Sequence, residues 1–304
     1  MITIIIFILI ILFYFLLLHG SLPEKSNFDI DFIKVRQLAE AKKDELIKSI
    51  HLLTIATGEL PAWGVVAGDF FTDKSKIEFP CFLLANTDKT IIIEAPYNQR
   101  LFKKFPYGKD YLKNNYELMQ KALLDADMIL ATHEHWDHVG GIAQSHHLDK
   151  ILKKVILTKE QIEGRTITDA EFPNGIFKNY RPLNYDKYHC ITPGIVLIKT
   201  PGHSTGHQFI FVKLQNGIEF LFTGDVVWTN RNFEKHKNRP WLASIKRLEN
   251  RKQIAHQMQY LYDEFYNNEN QKILLMSTHD TKQHEDYINK GLINKNFKLH
   301  KETK

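Results

Sequence analysis

Residues 132–141 read Thr-His-Glu-His-Trp-Asp-His-Val-Gly-Gly, which places three imidazoles and two carboxylates within positions 133–138. Such a group packs badly. Neighbouring imidazoles that protonate repel one another, whereas a divalent cation accepts neutral imidazole nitrogen and carboxylate oxygen together. Three further candidates stand singly: His203 behind Thr200-Pro201-Gly202, Asp225 behind Thr223-Gly224, and His279 behind Ser277-Thr278. The chemistry indicated is metal binding.

The elements that must position these groups are short apolar runs bounded by turn residues. Runs at 80–85 and 90–94, separated by Asn86-Thr87-Asp88-Lys89, predict a hairpin, and 207–214 with 218–222 predicts a second one across Gln215-Asn216-Gly217. A helix is expected over 109–124, and buried strands over 128–132, 195–199 and 273–276. Four strands thus finish on a candidate ligand. Sheets collect the carboxyl ends of their strands along a rim, where ligands bind, so the scattered candidates are expected to converge.

The spacing His133, His135, Asp137, His138, completed by His203, Asp225 and His279, resembles that of the metallo-β-lactamase-fold hydrolases over roughly residues 60–282. The resemblance implies an α/β fold, an αββα four-layer sandwich with a two-metal site at one edge. It assigns His133, His135 and His203 to one ion, Asp137, His138 and His279 to the other, and Asp225 to the bridge between them. Two divalent ions are expected, zinc first, with iron or manganese as alternatives. The expected reaction is attack by a metal-bridging hydroxide on an ester-type bond. Asp137 would orient that hydroxide and protonate the leaving alkoxide, and Asp225 would tune the charge of the metals.

Within the family, Asp225 argues against penicillin cleavage, and His135 stands where flavodiiron proteins carry Glu. Residues 79–96, 200–208 and 225–232 resemble the N-acyl homoserine lactone hydrolases, which implies a lactone or acyl ester substrate. A phosphodiesterase, a thioesterase, or a metal-binding sensor or scaffold with little turnover is the alternative. Two positions depart from the pattern. Trp228 stands where some lactonases carry a Tyr that hydrogen-bonds the substrate, and indole offers only an N–H donor. Glu94 replaces the Asp common in relatives, a residue that supports the ligands from behind.

The rest of the chain sets broader limits. With 304 residues, 43% hydrophobic and 25% charged, it can bury a core and is neither disordered nor disulfide-stapled. Forty basic against 35 acidic residues leave +5, too little for a nucleic-acid partner to be expected. Cys81 and Cys190 cannot build a cysteine metal site, and Cys81 reads as core. Residues 2–18 carry no charge and would make a helix of about 25 Å, which predicts a transmembrane helix ahead of the sandwich. The expected organisation is a hydrophobic anchor or signal at 1–20, a linker with an amphipathic helix at 21–58, and the hydrolase domain at 59–304. Lys25, Lys34 and Arg36 after the run favour a membrane-anchored protein with its body in the cytoplasm, the exported side being the alternative. Its partners would be the membrane and a small molecule with an acyl chain. Trp228, Phe233, Trp241 and the helical face of Ile254, Met258, Leu261 and Phe265 could wall an apolar pocket, although that face also fits a core. His207 is read as a loop hydrogen-bonder and His146 and His147 as solvent-facing on a helix. His284, like His19, His51, His189, His236, His256 and His300, reads as a surface or packing residue.

Overall fold

The computed structural model describes residues 1–268, 272–295 and 297. Among them, eleven strands form two sheets. The first contains β1 (Ser49–Pro61), β2 (Lys74–Ala85), β3 (Thr90–Ile93), β4 (Gly108–Tyr111), β5 (Met128–Leu130) and β6 (Val155–Ile156), in the order β4-β1-β2-β3-β5-β6. The second contains β7 (Tyr188–Thr192), β8 (Ile195–Lys199), β9 (Gln208–Lys213), β10 (Glu219–Gly224) and β11 (Ile273–Ser277), in the order β11-β10-β9-β8-β7.

The central strands are apolar at nearly every position because both of their faces are covered. Phe82 and Leu84 of β2 and Ile91 and Ile93 of β3 point inward, meeting Leu197, Ile210, Phe220 and Phe222 of the other sheet. The intervening residues Cys81, Leu83 and Ile92 point outward onto Met119 and Leu123 of the helix Lys113–Asp125. On the far side, Val196, Ile198, Phe209 and Phe211 pack against Ile254, Met258 and Leu261 of the helix Arg251–Leu261. This alternation of period two, with helices outside each sheet, is the expected αββα sandwich. The first hairpin closes through Asn86, whose Oδ1 accepts from the backbone N–H of Asp88 (2.9 Å) and Lys89 (2.7 Å).

Two expectations fail here. The amphipathic helix expected within 21–58 is present only as Phe32–Leu38, capped by Asp31 Oδ1 on Lys34 N at 3.0 Å; Lys43–Glu45 is a 3₁₀ turn, and from Ser49 the chain is β1. Pairing with β2 from Ser49 to Pro61 decides the matter, as tertiary pairing overrides local periodicity.

The apolar N-terminus does not make a transmembrane span. Ile2–Phe13 is an α-helix of 12 residues, about 18 Å long against roughly 30 Å of hydrocarbon, and it widens into a π-turn over Tyr14–Leu18. The end of the run is taken up by the domain: Leu17 O accepts from Gly68 N (3.1 Å), His19 O from Arg251 Nη2 (3.3 Å), and Gly20 O from Asn238 N (2.8 Å). No helix among the described residues is long and apolar enough to cross a membrane. That finding overturns the transmembrane helix and the membrane-anchored localisation, and leaves the membrane without support as a partner.

Candidate metal centre

The carboxyl ends of the strands converge as the topology requires. His133 and His135 lie in the loop behind β5, and Asp137 and His138 in the first turn of the helix Trp136–Ala143, whose N-cap is His135. His203 follows β8, Asp225 follows β10 and His279 follows β11. The turn out of β10 depends on Gly224. Its φ is +50°, and a Cβ there would lie 2.5 Å from His207 Nε2 and 2.9 Å from the Thr132 side chain. Gly224→Ala is therefore expected to cost on the order of 1–3 kcal/mol and several degrees of melting temperature. Thermal unfolding checks this, and an unchanged transition would refute it.

All seven candidate residues come together. His133, His135, His203 and Asp225 form one group and Asp137, His138, Asp225 and His279 another, the donor atoms within each lying no more than 4.8 Å apart. Asp225 belongs to both through different oxygens. Its Oδ2 is 3.4 Å from His203 Nε2, while its Oδ1 is 3.3 Å from His138 Nε2 and 3.0 Å from His279 Nε2. Asp137 Oδ2 lies 3.7 Å from His279 Nε2 and 3.8 Å from His138 Nε2.

The outer nitrogens of these rings are engaged, which fixes what the inner ones can do. His203 Nδ1 donates to Glu249 Oε1 (2.7 Å) and His279 Nδ1 to the Glu78 carbonyl (2.8 Å). Thr132 Oγ1 donates to Glu94 Oε1 (2.6 Å), so it accepts from His133 Nδ1 (3.1 Å). His133 Nε2 and His203 Nε2 then present lone pairs to one another at 3.1 Å, and both lie 2.9 Å from His135 Nδ1. Two lone pairs facing each other need either a proton on His135 Nδ1 or a cation among them, and a divalent ion serves all three nitrogens at once. Among the described residues, His138 Nε2 and Asp225 Oδ1 are likewise buried without a hydrogen-bond partner. The donor set fits divalent metal ions.

Electrostatics divides the cluster. Burial, followed by the neighbouring imidazoles for His133 and by His203 for His135, holds these two rings well below the usual imidazole range; burial also lowers His203. These rings are neutral donors. Burial opposes charge at His138 and His279 as well, but Glu94, Asp137 and Asp225 around the first, and Asp225 and Asp137 around the second, outweigh it and raise both. Asp225 is held well below the carboxylate range against its burial, by His279, His138 and His203. The carboxylates thus demand positive charge where a metal would supply it.

A family model for the metallo-beta-lactamase superfamily matches residues 80–288. The chain belongs to that superfamily. This hydrolase is 28% identical over 189 residues to an N-acyl homoserine lactonase of Bacillus cereus, an alignment covering 55% of this chain and 74% of that protein. It is 30% identical over 191 residues, with the same coverage, to N-acyl homoserine lactonase AiiA of Bacillus thuringiensis subsp. kurstaki. Among solved structures, a quorum-quenching N-acyl homoserine lactone lactonase shares the fold with a TM-score of 0.58 at 18% identity, covering 80% of this chain and 96% of that one. A probable metal-dependent hydrolase from Staphylococcus aureus also gives 0.58, at 16% identity over 77% and 90%. The chain is a metal-dependent hydrolase of the metallo-β-lactamase fold, close to the lactonase branch.

The residues behind these candidate ligands were only partly visible in the sequence. Glu94, at φ +66°, takes the supporting position in spite of its length: Oε1 accepts from Thr132 and Oε2 lies 3.1 Å from His138 Nδ1. Glu249 and Arg239 were missed. Glu249 Oε1 holds both His203 Nδ1 and Arg239 Nη2 (2.6 Å), and Arg239 Nη1 donates to the Asp225 carbonyl (2.7 Å). His284, read as a packing residue, meets the buried Glu78 Oε1 at 2.7 Å beneath His279. No fixed spacing announces such partners. His207 hydrogen-bonds its loop as expected, through Thr200. His146 and His147 are exposed, but in the turn beyond the helix that ends at Ala143.

A narrow chamber of about 130 Å³, walled by His135, Asp137, Asp225 and His279, lies against the cluster. It shares Trp136, Trp228, Phe105 and Arg247 with a second, largely apolar chamber of about 910 Å³ bounded by Leu60, Trp63, Leu242 and Ile245. Of the expected walls, only Trp228 is one. Phe233, Ile254, Met258 and Leu261 are core, Phe265 packs on that core, and Trp241 is exposed outside the lining.

Proposed function

We propose that this chain is a dinuclear metal-dependent hydrolase that opens the ester bond of a lactone, or of a related acyl ester, carrying an apolar chain. Two divalent ions, zinc first, would be held by His133, His135, His203 and Asp225 and by Asp137, His138, His279 and Asp225. The observation carrying this reading is Asp225, whose two oxygens face two different imidazole groups. Bound there, such ions supply acidified water and polarise the scissile carbonyl.

The chain's own residues do the rest. Neutral His133, His135 and His203 would present lone pairs inward, while Thr132 and Glu249 fix the outer nitrogens of His133 and His203. Asp137, at the chamber wall, would accept the proton of the attacking water on a carboxylate oxygen and pass it to the leaving alkoxide. Trp136 and Trp228 narrow the chamber and exclude bulk water, and the larger chamber takes the apolar tail. The lactonases named above support the choice of bond.

The test is purified protein of measured metal content, offered acyl lactones, thioesters and bis-aryl phosphodiesters. Lactone turnover should rise with metal content and from butanoyl to decanoyl chains. Turnover of phosphodiesters alone overturns the ester reading, and equal rates on short and long acyl lactones overturn the role given to the apolar chamber.

A further inference from the structure

Two polar groups in the shared wall of the chambers take no part in holding or supporting the cluster. Trp228 is buried, and its Nε1 has no hydrogen-bond partner among the described residues. Arg247, in the last turn of the helix Trp241–Arg247, borders both chambers, with its guanidinium carbon 4.6 Å from the centre of the Trp228 ring. Among the described residues its one hydrogen bond is from Nη1 to the Ala243 carbonyl (3.1 Å), and it forms no ion pair. Arg239 makes the contrast plain. It lies 4.9 Å from the same ring, but its charge is matched by Glu249.

The acidic groups bordering these chambers are otherwise committed. Asp137 and Asp225 belong to the cluster, Glu171 is paired with Arg100 and Lys104, and Asp169 is exposed to water. Glu249, Asp225 and Asp137 attract this guanidinium without pairing with it; a buried guanidinium whose planar fork is not engaged by an acid in contact suits the two oxygens of a carboxylate or phosphate. The flat indole beneath it aligns that fork and adds an N–H donor beside it.

We propose that Arg247 and Trp228 Nε1 form a docking point for an oxyanionic group carried by the substrate, so that this hydrolase favours acidic molecules with an apolar tail over neutral ones. The proposal deepens the preceding reading and rests on it for the scissile bond alone. Anion binding can be measured without turnover.

The experiment is calorimetric titration of the metal-loaded protein with octanoate, octyl phosphate and octanamide, the last a neutral isostere of the first. The metals attract both anions, so the informative quantity is the ratio between wild type and variant. Arg247→Met should weaken octanoate, octyl phosphate or both about tenfold or more beyond its effect on octanamide. A loss confined to one anion identifies the group as carboxylate or as phosphate. Arg247→Lys, which keeps the charge but not the fork, should lose several-fold, and it carries the comparison if the methionine variant does not fold. Equal weakening of all three ligands, or no weakening of either anion, overturns the proposal. A protein that binds the anions through Arg247 yet cleaves no ester refutes the function proposed above and leaves the docking point standing.

Discussion

Asp225→Ala is expected to leave at most one metal ion bound where the proposed site of the wild type would hold two, and to lower kcat/KM by about a thousandfold. The side chain gives one oxygen to His203 and the other to His138 and His279, so its loss removes a ligand from both groups and the negative charge between them. Several kcal/mol of transition-state stabilisation come from such a metal pair, and each 1.4 kcal/mol is tenfold in rate. Asp225→Asn keeps the shape and removes the charge, and should fall nearly as far. Elemental analysis alongside circular dichroism separates metal loss from unfolding. Full metal content with a lost rate would contradict the bridging position.

Glu249→Ala should be the most destabilising of the substitutions considered. It strands Arg239, about 1% exposed, without a counter-charge, and breaking a buried pair costs about 3–5 kcal/mol. At roughly 2–4 °C per kcal/mol in a chain of this size class, the melting temperature should drop by on the order of 10 °C. Metal affinity should also fall about 10- to 100-fold, because His203 Nδ1 loses the acceptor that orients the ring. Glu249→Gln retains an acceptor and should recover part of both losses. Acid pH offers an independent measure. Burial opposes ionisation of Glu249, but Arg239 and His203 hold it below its ordinary value of 4.5. Its contribution is therefore complete above about pH 4.5 and is lost as the pH falls, so the wild type should shed stability with acid more steeply than Glu249→Ala. A metal affinity equal to the wild type's in both variants would show that Glu249 serves the fold alone.

The convergence of the seven candidate residues was legible because their chemistry restricts residue type and the architecture restricts place. Imidazole and carboxylate are what divalent ions accept, and the ends of apolar strands are where a sandwich exposes them. Glu249, Arg239 and the Glu78–His284 pair were not legible. Each is brought to the site by packing across the chain, as with the separation of 46 positions from His203 to Glu249. β1 was misread because its charged neighbours upstream continue an apparently helical rhythm, and only the partner strand β2 shows that Ser49–Pro61 is extended. The N-terminal run was misread because composition records greasiness but not where a helix stops.

His133, His135, Asp137 and His138 hang from the first sheet, whereas His203, Asp225 and His279 hang from the second. An ion gripped by both halves works as a rivet through the sandwich, and prying the layers apart means drawing it. At a hundredfold excess of free ion over its dissociation constant, each such site would add about 2.7 kcal/mol to the work of unfolding. Resistance to heat is then a gauge of how full the site is, legible on a purified sample before any substrate has been found.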